Sequence, residues 1–146
     1  MNAIGNRWTG RCALRCRALT ESPLTVLNLY ALQGDPGAAR VAFGALAARV
    51  EREGHPGIRS YRFFVHDMDL TARAVIDYSG PSAWLGHHEM AMGWPEMRAL
   101  HGVARLAEAT FLGPFTDEMR AWLAGSGLTA RVVTGFEPVA GFRRTD

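Results

Sequence analysis

The chain has 146 residues, 48% of them hydrophobic, which supplies enough apolar mass to bury the core of one ordinary domain and too little length for two. Its net charge of +2 is the difference between 16 basic and 14 acidic residues spread along the sequence, so no dense basic stripe marks a nucleic-acid partner. Every basic residue is arginine, and the lack of lysine excludes Schiff-base and lysine general-base catalysis.

Residues 1–22 stand apart from the rest. Arg7, Arg11, Arg15 and Arg17 face a single acid, Glu21, without a clear apolar period. Two readings stay open: a poorly structured extension before a domain spanning 23–146, or an organelle-type targeting peptide, whose Arg-rich, acid-poor composition it shares. The only cysteines, Cys12 and Cys16, have no His or Cys partner nearby, which reads as free thiols in a reducing compartment rather than a zinc site or a disulfide framework. No segment approaches the roughly 18 apolar residues of a membrane helix, and no continuous hydrophobic stretch opens the chain as a secretory signal does. The expected location is cytoplasmic, with neither a membrane nor a nucleic acid as partner.

From Pro23 to Leu32 the residues alternate between two sets, Val26, Asn28, Tyr30 and Leu27, Leu29, Ala31, which predicts a strand. The turn Gly34-Asp35-Pro36-Gly37 ends it. A helix follows to about Glu53, since Phe43, Leu46, Ala47 and Val50 recur at three- and four-residue spacing, and Gly54 with His55-Pro56-Gly57 stops it. Two strand-like runs, Ile58 to His66 and Thr71 to Ser79, are joined by a linker of hairpin length. Pro81 then opens a helical stretch from Ala83 to Val103 that breaks around Gly93-Trp94-Pro95. A fourth strand covers Arg105 to Leu112. The order strand, helix, strand, strand, helix, strand is the split βαβ pattern of an α+β, ferredoxin-like antiparallel sheet. From about residue 115 an appendix follows: a short helix from Phe115 to Ala124, then a fifth strand from Leu128 to Phe136.

A ferredoxin-like sheet packs one face on its helices, so polar residues on the other face need solvent, a partner or a pocket. Leu27 and Leu29 suit the helix side, which leaves Asn28 and Tyr30 on the opposite one. In the second strand, Tyr61, Phe63 and Val65 alternate with Ser60, Arg62, Phe64 and His66, and either set can face inward. Asp77 and Glu108 are strand acids, with Arg73 or Arg62 as candidate counter-ions.

The run from Thr25 to Leu112, roughly the middle three-fifths of the chain, resembles the antibiotic biosynthesis monooxygenase family. The resemblance rests on four features in order. They are the turn Asp35-Pro36-Gly37 before the first helix; Pro56-Gly57 before the second strand, with His55 where relatives commonly carry an acid; the strand end "VIDYSGPSAW"; and His87 in "SAWLGHHEM". The segment from Met92 to Pro95 and the C-terminal addition depart from the family's minimal pattern. This resemblance implies a dimeric α/β barrel in which two sheets pair as a homodimer, with the fifth strand placed to cross onto the partner. It also implies a cofactor-independent monooxygenase, using no metal, flavin or haem, in which a deprotonated phenolic or quinol-type substrate itself passes an electron to dioxygen.

On this reading His87 is the catalytic base, because a neutral imidazole is well poised to take a phenolic proton, with Tyr30 or Asn28 as hydrogen-bonding partner. Trp84, one helical turn before His87, joins Tyr61 or Phe63 as the aromatic wall of a small-molecule site. His88 is set aside, since adjacent helical residues point about 100° apart. Packing accounts equally for Trp84, Trp94 and Trp122. Two alternatives remain: a non-catalytic, stress-associated binding barrel of the same shape, and a haem-binding or haem-degrading enzyme in which Asn28, Trp84 or Trp94, and His101 make the site.

Overall fold

The computed structural model describes residues 21–145; Cys12, Cys16 and the four arginines of the N-terminal segment, Arg7, Arg11, Arg15 and Arg17, lie outside the described residues. Strand β1 spans Leu24–Leu32 and helix α1 Pro36–Glu53. Asp35 caps α1 by accepting a hydrogen bond from the Gly37 N–H at 3.0 Å, with Pro36 at the first helical position, where a missing N–H costs nothing. Strands β2 (Ile58–His66) and β3 (Thr71–Tyr78) form the expected antiparallel hairpin. The long helical stretch is two helices, α2 (Pro81–Ala91) and α3 (Pro95–Val103), because Pro95 lacks the N–H that would continue α2 and instead starts a new helix. Strand β4 (Ala104–Leu112), helix α4 (Asp117–Gly125) and strand β5 (Arg131–Phe136) complete the chain.

The sheet order is β2-β3-β1-β4-β5. Its first four strands are antiparallel in the ferredoxin-like arrangement, while β5 runs parallel to β4. The sheet is therefore mixed, and β5 extends the sheet of its own protomer instead of crossing to a partner. The connection explains the difference: a strand reached through a helix comes back in the direction of the strand that preceded the helix, and α4 is that helix. The appendix elements also begin later than the sequence suggests. Phe115 packs on Phe111 with ring centroids 4.8 Å apart, and Thr116 caps α4 by accepting from the Met119 N–H.

Side-chain phase assigns the two faces of the sheet. Leu24, Val26, Tyr30 and Leu32 of β1 are buried beneath the helices, so Asn28 shares the helix side and Leu27 and Leu29 lie on the other face, the reverse of the sequence expectation. Alternation alone cannot tell the faces apart in a strand apolar on both. In β2, the residues opposite the buried Ile76, Ala74 and Ala72 are Tyr61, Phe63 and Val65, which puts these three on the helix side. A bulge in β4 pairs Leu29 with Glu108 but Tyr30 with Leu106. The extra residue keeps Leu106 on the same side as Ala109 and Phe111.

The open face carries Leu27, Leu29 and Val75, with Phe64 53% exposed. Its polar centre is Asp77, which accepts from Thr25 Oγ1 at 2.6 Å and Ser60 Oγ at 2.7 Å and pairs with Arg143 of the C-terminal tail at 3.1 Å. Although burial works against the charge, these hydrogen bonds and Arg143 hold the Asp77 carboxyl below its ordinary value. Glu108 pairs with Arg131 at 3.4 Å, so neither acid uses Arg62 or Arg73.

Two glycines set how closely α2 approaches the sheet. A Cβ on Gly57 would stand 2.5 Å from the Ala83 Cβ and 2.6 Å from Ser79 Oγ, and one on Gly86 would stand 2.5 Å from the His55 ring. Gly57→Ala is expected to lower unfolding free energy by about 1–3 kcal/mol through overpacking. Gly44→Ala, in α1 with nothing near its Cβ position, should raise it by about 0.4–1 kcal/mol. Urea titration of the two variants checks both signs; equal effects would remove the close-approach argument.

Candidate active site

Between the helix side of the sheet and helices α2, α3 and α4 lies a small cavity of about 50 Å³. Its floor comes from the strands, with Asn28 and Tyr30 of β1, Tyr61 of β2 and Tyr78 of β3. Its roof is α2, through Trp84, His87 and His88, and its sides include Met92, Met97 and Leu123. His101 and Leu128 also line it and border a neighbouring surface hollow, which marks them as the rim. The site is thus on the helix side of the sheet, not on the open face that the alternation of β1 suggested.

The structure brings together Asn28, Tyr30, Tyr61, Trp84, His87 and His101 of the residues singled out from sequence. Phe63 and Trp94 lie elsewhere. Phe63 stacks on Phe43 of α1 at 4.5 Å, filling core beside the cavity. Trp94 lies under the Arg49 guanidinium, 4.2 Å from its ring centroid, and Arg49 also pairs with Glu96 at 2.8 Å. This is a cation–π contact beside an ion pair, away from the cavity. His88 was passed over, yet it lines the cavity with His87. The hollow wraps from the sheet round to α4, an arc wide enough to take two side chains 100° apart.

The rings crowd one another. His87 stands 5.5 Å from Tyr61, 6.2 Å from Tyr78 and 5.1 Å from His88. His88 lies against Trp84 at 4.1 Å and Trp122 at 4.9 Å. The cavity is therefore narrow, and a fused-ring guest requires its softer walls, Met92 and Met97, to yield, as unbranched thioether chains do readily.

Burial governs the protonation states. The Tyr30 hydroxyl is pushed up to about 12 by desolvation, against the opposing effect of the Asn28 amide, which donates to it at 3.3 Å. Tyr61 and Tyr78 are raised as well, chiefly by the same desolvation. Desolvation lowers His87 to about 3, with His88 and His55 adding to the effect, and lowers His88 to about 4 against the opposing pull of the Trp84 carbonyl. Near neutral pH the cavity thus holds three neutral phenols as donors and two neutral imidazoles. His87 is 1% exposed and, among the described residues, its Nδ1 has no hydrogen-bond partner, a cost that protein interiors normally avoid. Among the described residues no cluster of three or more His, Cys, Asp or Glu could hold a metal ion, and no helix is long and apolar enough to cross a membrane.

No family model matches the sequence, and no curated protein matches it. Solved structures do match in fold. SnoaB, a cofactor-independent oxygenase from Streptomyces nogalater, superposes with a TM-score of 0.56 at 18% identity, over 65% of this chain and 95% of its own. MupZ from Pseudomonas fluorescens reaches 0.61 at 20% identity, over 85% and 96%. A candidate antibiotic biosynthesis monooxygenase from Caulobacter crescentus gives 0.51 at 16%, over 70% and 99%. The chain shares the fold of these structures, the ferredoxin-like arrangement that its order of strands and helices implied.

The depressed histidines predict a pH dependence. Their folded values lie below the ordinary 6.5, so between about 6.5 and 4 the unfolded chain binds more protons and stability falls as pH falls. The slope is at most about 1.4 kcal/mol per pH unit for each imidazole. Asp77 contributes in the same sense only below its ordinary 3.8. Urea midpoints measured from pH 7 to 4 should drop steeply for the native chain and more shallowly for His87→Gln; parallel curves would contradict the buried neutral state.

Proposed function

We propose that the protein is a cofactor-independent monooxygenase that oxidises a phenolic or quinol-type aromatic with dioxygen in the cavity beneath α2. The observation that carries this reading is His87, whose buried Nδ1 has no partner among the described residues and whose ring lines a hollow otherwise formed by aromatic rings and neutral donors. A ligand hydroxyl bound there satisfies the orphaned nitrogen and finds apolar walls for its ring, the usual composition of a small-molecule site. The fold shared with a cofactor-independent oxygenase supports the same class.

Proton transfer from the bound hydroxyl to the imidazole pair breaks the O–H bond and leaves its electrons on oxygen. A depressed imidazole is a weak base in the empty cavity. Once the phenolate forms beside it, however, the two charges attract in a medium of low dielectric, and the Tyr30 hydroxyl and Asn28 amide are placed to donate to the anion. An electron-rich phenolate then reduces dioxygen by one electron. Recombination at a ring carbon and loss of water yield the quinone, so that ArH(OH) plus O₂ gives the quinone plus H₂O. Trp84 and Tyr61 act as walls that exclude water.

With a panel of naphthols and hydroquinones, an oxygen electrode should register cofactor-free consumption above the spontaneous rate. Tyr30→Phe, which keeps the ring packed on Phe43, should lower kcat about 10²-fold. Uptake that is absent across the panel, together with saturable binding of the same compounds, would favour a non-catalytic binding barrel.

The expected homodimer fits the open sheet face, where Leu27, Leu29, Val75 and Phe64 form a patch that a second copy would cover. Phe64→Glu is expected to shift sedimentation from dimer to monomer with helix content unchanged; an unaltered profile would place any dimer contact elsewhere.

A further inference from the structure

The two cavity imidazoles are not equivalent, and the hydrogen bonding around them assigns different work to each. His88 Nδ1 lies 2.7 Å from the Trp84 carbonyl oxygen. A carbonyl only accepts, so this contact requires the proton on Nδ1 and leaves the lone pair on Nε2. The carbonyl has a second lone pair and can serve the helix ladder as well. The ring is held in place between Trp84 and Trp122, leaving its orientation little freedom. His87, by contrast, has no partner at Nδ1 among the described residues, so no hydrogen bond there fixes its tautomer.

Resting on the reading that the ligand is a phenol, we propose that His88, through Nε2, is the residue that takes the ligand's proton, while His87 stays neutral and orients the ligand by a hydrogen bond. The O–H bond breaks, an Nε2–H bond forms, and the electron pair remains on the phenolate oxygen. The resulting imidazolium keeps its Nδ1–H on the Trp84 carbonyl, which stabilises the positive charge. The last turn of α2, where His88 lies, adds the partial negative charge of a helix C-terminus. His87 has no such acceptor at its Nδ1 among the described residues; neighbouring imidazoles oppose the charged form of both rings, His88 and His55 that of His87 and His101 that of His88, so the Trp84 carbonyl makes the difference. The helix backbone thus plays toward His88 the part that a carboxylate plays toward a catalytic histidine in a triad.

Two measurements on the full chain test this. Nitrogen-15 NMR of the unliganded protein should show His88 protonated at Nδ1 and bare at Nε2; an Nε2-protonated ring overturns the proposal. The second measurement uses 4-nitrophenol, whose phenolate absorbs in the visible, at a pH where the free dye is mostly neutral. Wild type should bind it as phenolate and His87→Asn, which loses the orienting hydrogen bond, should bind it more weakly but still as phenolate, whereas His88→Phe, which preserves the stacking, should bind it neutral, with the ionised fraction reduced at least about tenfold. His88→Gln, polar but no base, is expected to match His88→Phe, which guards against a packing artefact. Phenolate that persists in both His88 variants, or vanishes in His87→Asn, overturns the assignment. Wild type that does not bind the dye speaks against the phenol site itself, and the tautomer measurement then decides the state of His88 independently.

Discussion

The seating of α2 on the sheet is the constraint on which the rest depends. Gly57 admits Ala83 and Gly86 admits the His55 ring, so the helix lies low enough to bring Trp84, His87 and His88 down onto the tyrosines of the strands. Its start is secured from outside the helix: Gly80 supplies no side-chain cap, and Glu21 accepts from both the backbone N–H and the hydroxyl of Ser82. A carboxylate at a helix N-terminus answers free N–H groups and the macrodipole together. A helix seated an atom's width higher would let water among the rings, and the neutral imidazoles and phenols would return toward their ordinary protonation behaviour.

Desolvation is what turns this seating into chemistry. Five polar rings share one hollow, and each pays for its burial in the same way, by keeping its uncharged form. The cavity is consequently neutral but far from inert. It holds donors that stay protonated beyond any physiological pH and acceptors that stay unprotonated, an arrangement that responds strongly when a guest introduces charge, since little water remains to screen it.

Much of the architecture was legible in the sequence because turns and caps announce themselves. Asp35-Pro36, Pro56-Gly57, Gly80-Pro81 and Trp94-Pro95 each fall at the edge of an element. The faces of the strands were harder. β1 is apolar on both sides, so period-two alternation separates its residues into sets without saying which set meets the helices. Asn28 and Tyr30 were singled out for a pocket and do line one, although it lies on the side opposite to the one reasoned. The direction of β5 follows from the helix before it, and the importance of His88 follows from the width of the cavity, a tertiary quantity that helical spacing does not contain. Phe63 and Trp94 were plausible by type alone, and their neighbours, Phe43 and Arg49, come from a distant stretch of chain that no local pattern reveals.

The Arg143–Asp77 pair ties the last described stretch of the chain to β3 after the chain has travelled out to the sheet edge at β5. Val139 and Phe142 on that return path are 96% and 83% exposed, so the tail is held by charge and hydrogen bonding rather than by burial. Arg143 is thereby held over the open side of the sheet, whereas the described chain begins at Glu21 beside the start of α2. The two ends of the described chain therefore border different surfaces: one the open face of the sheet, the other the helix that roofs the cavity.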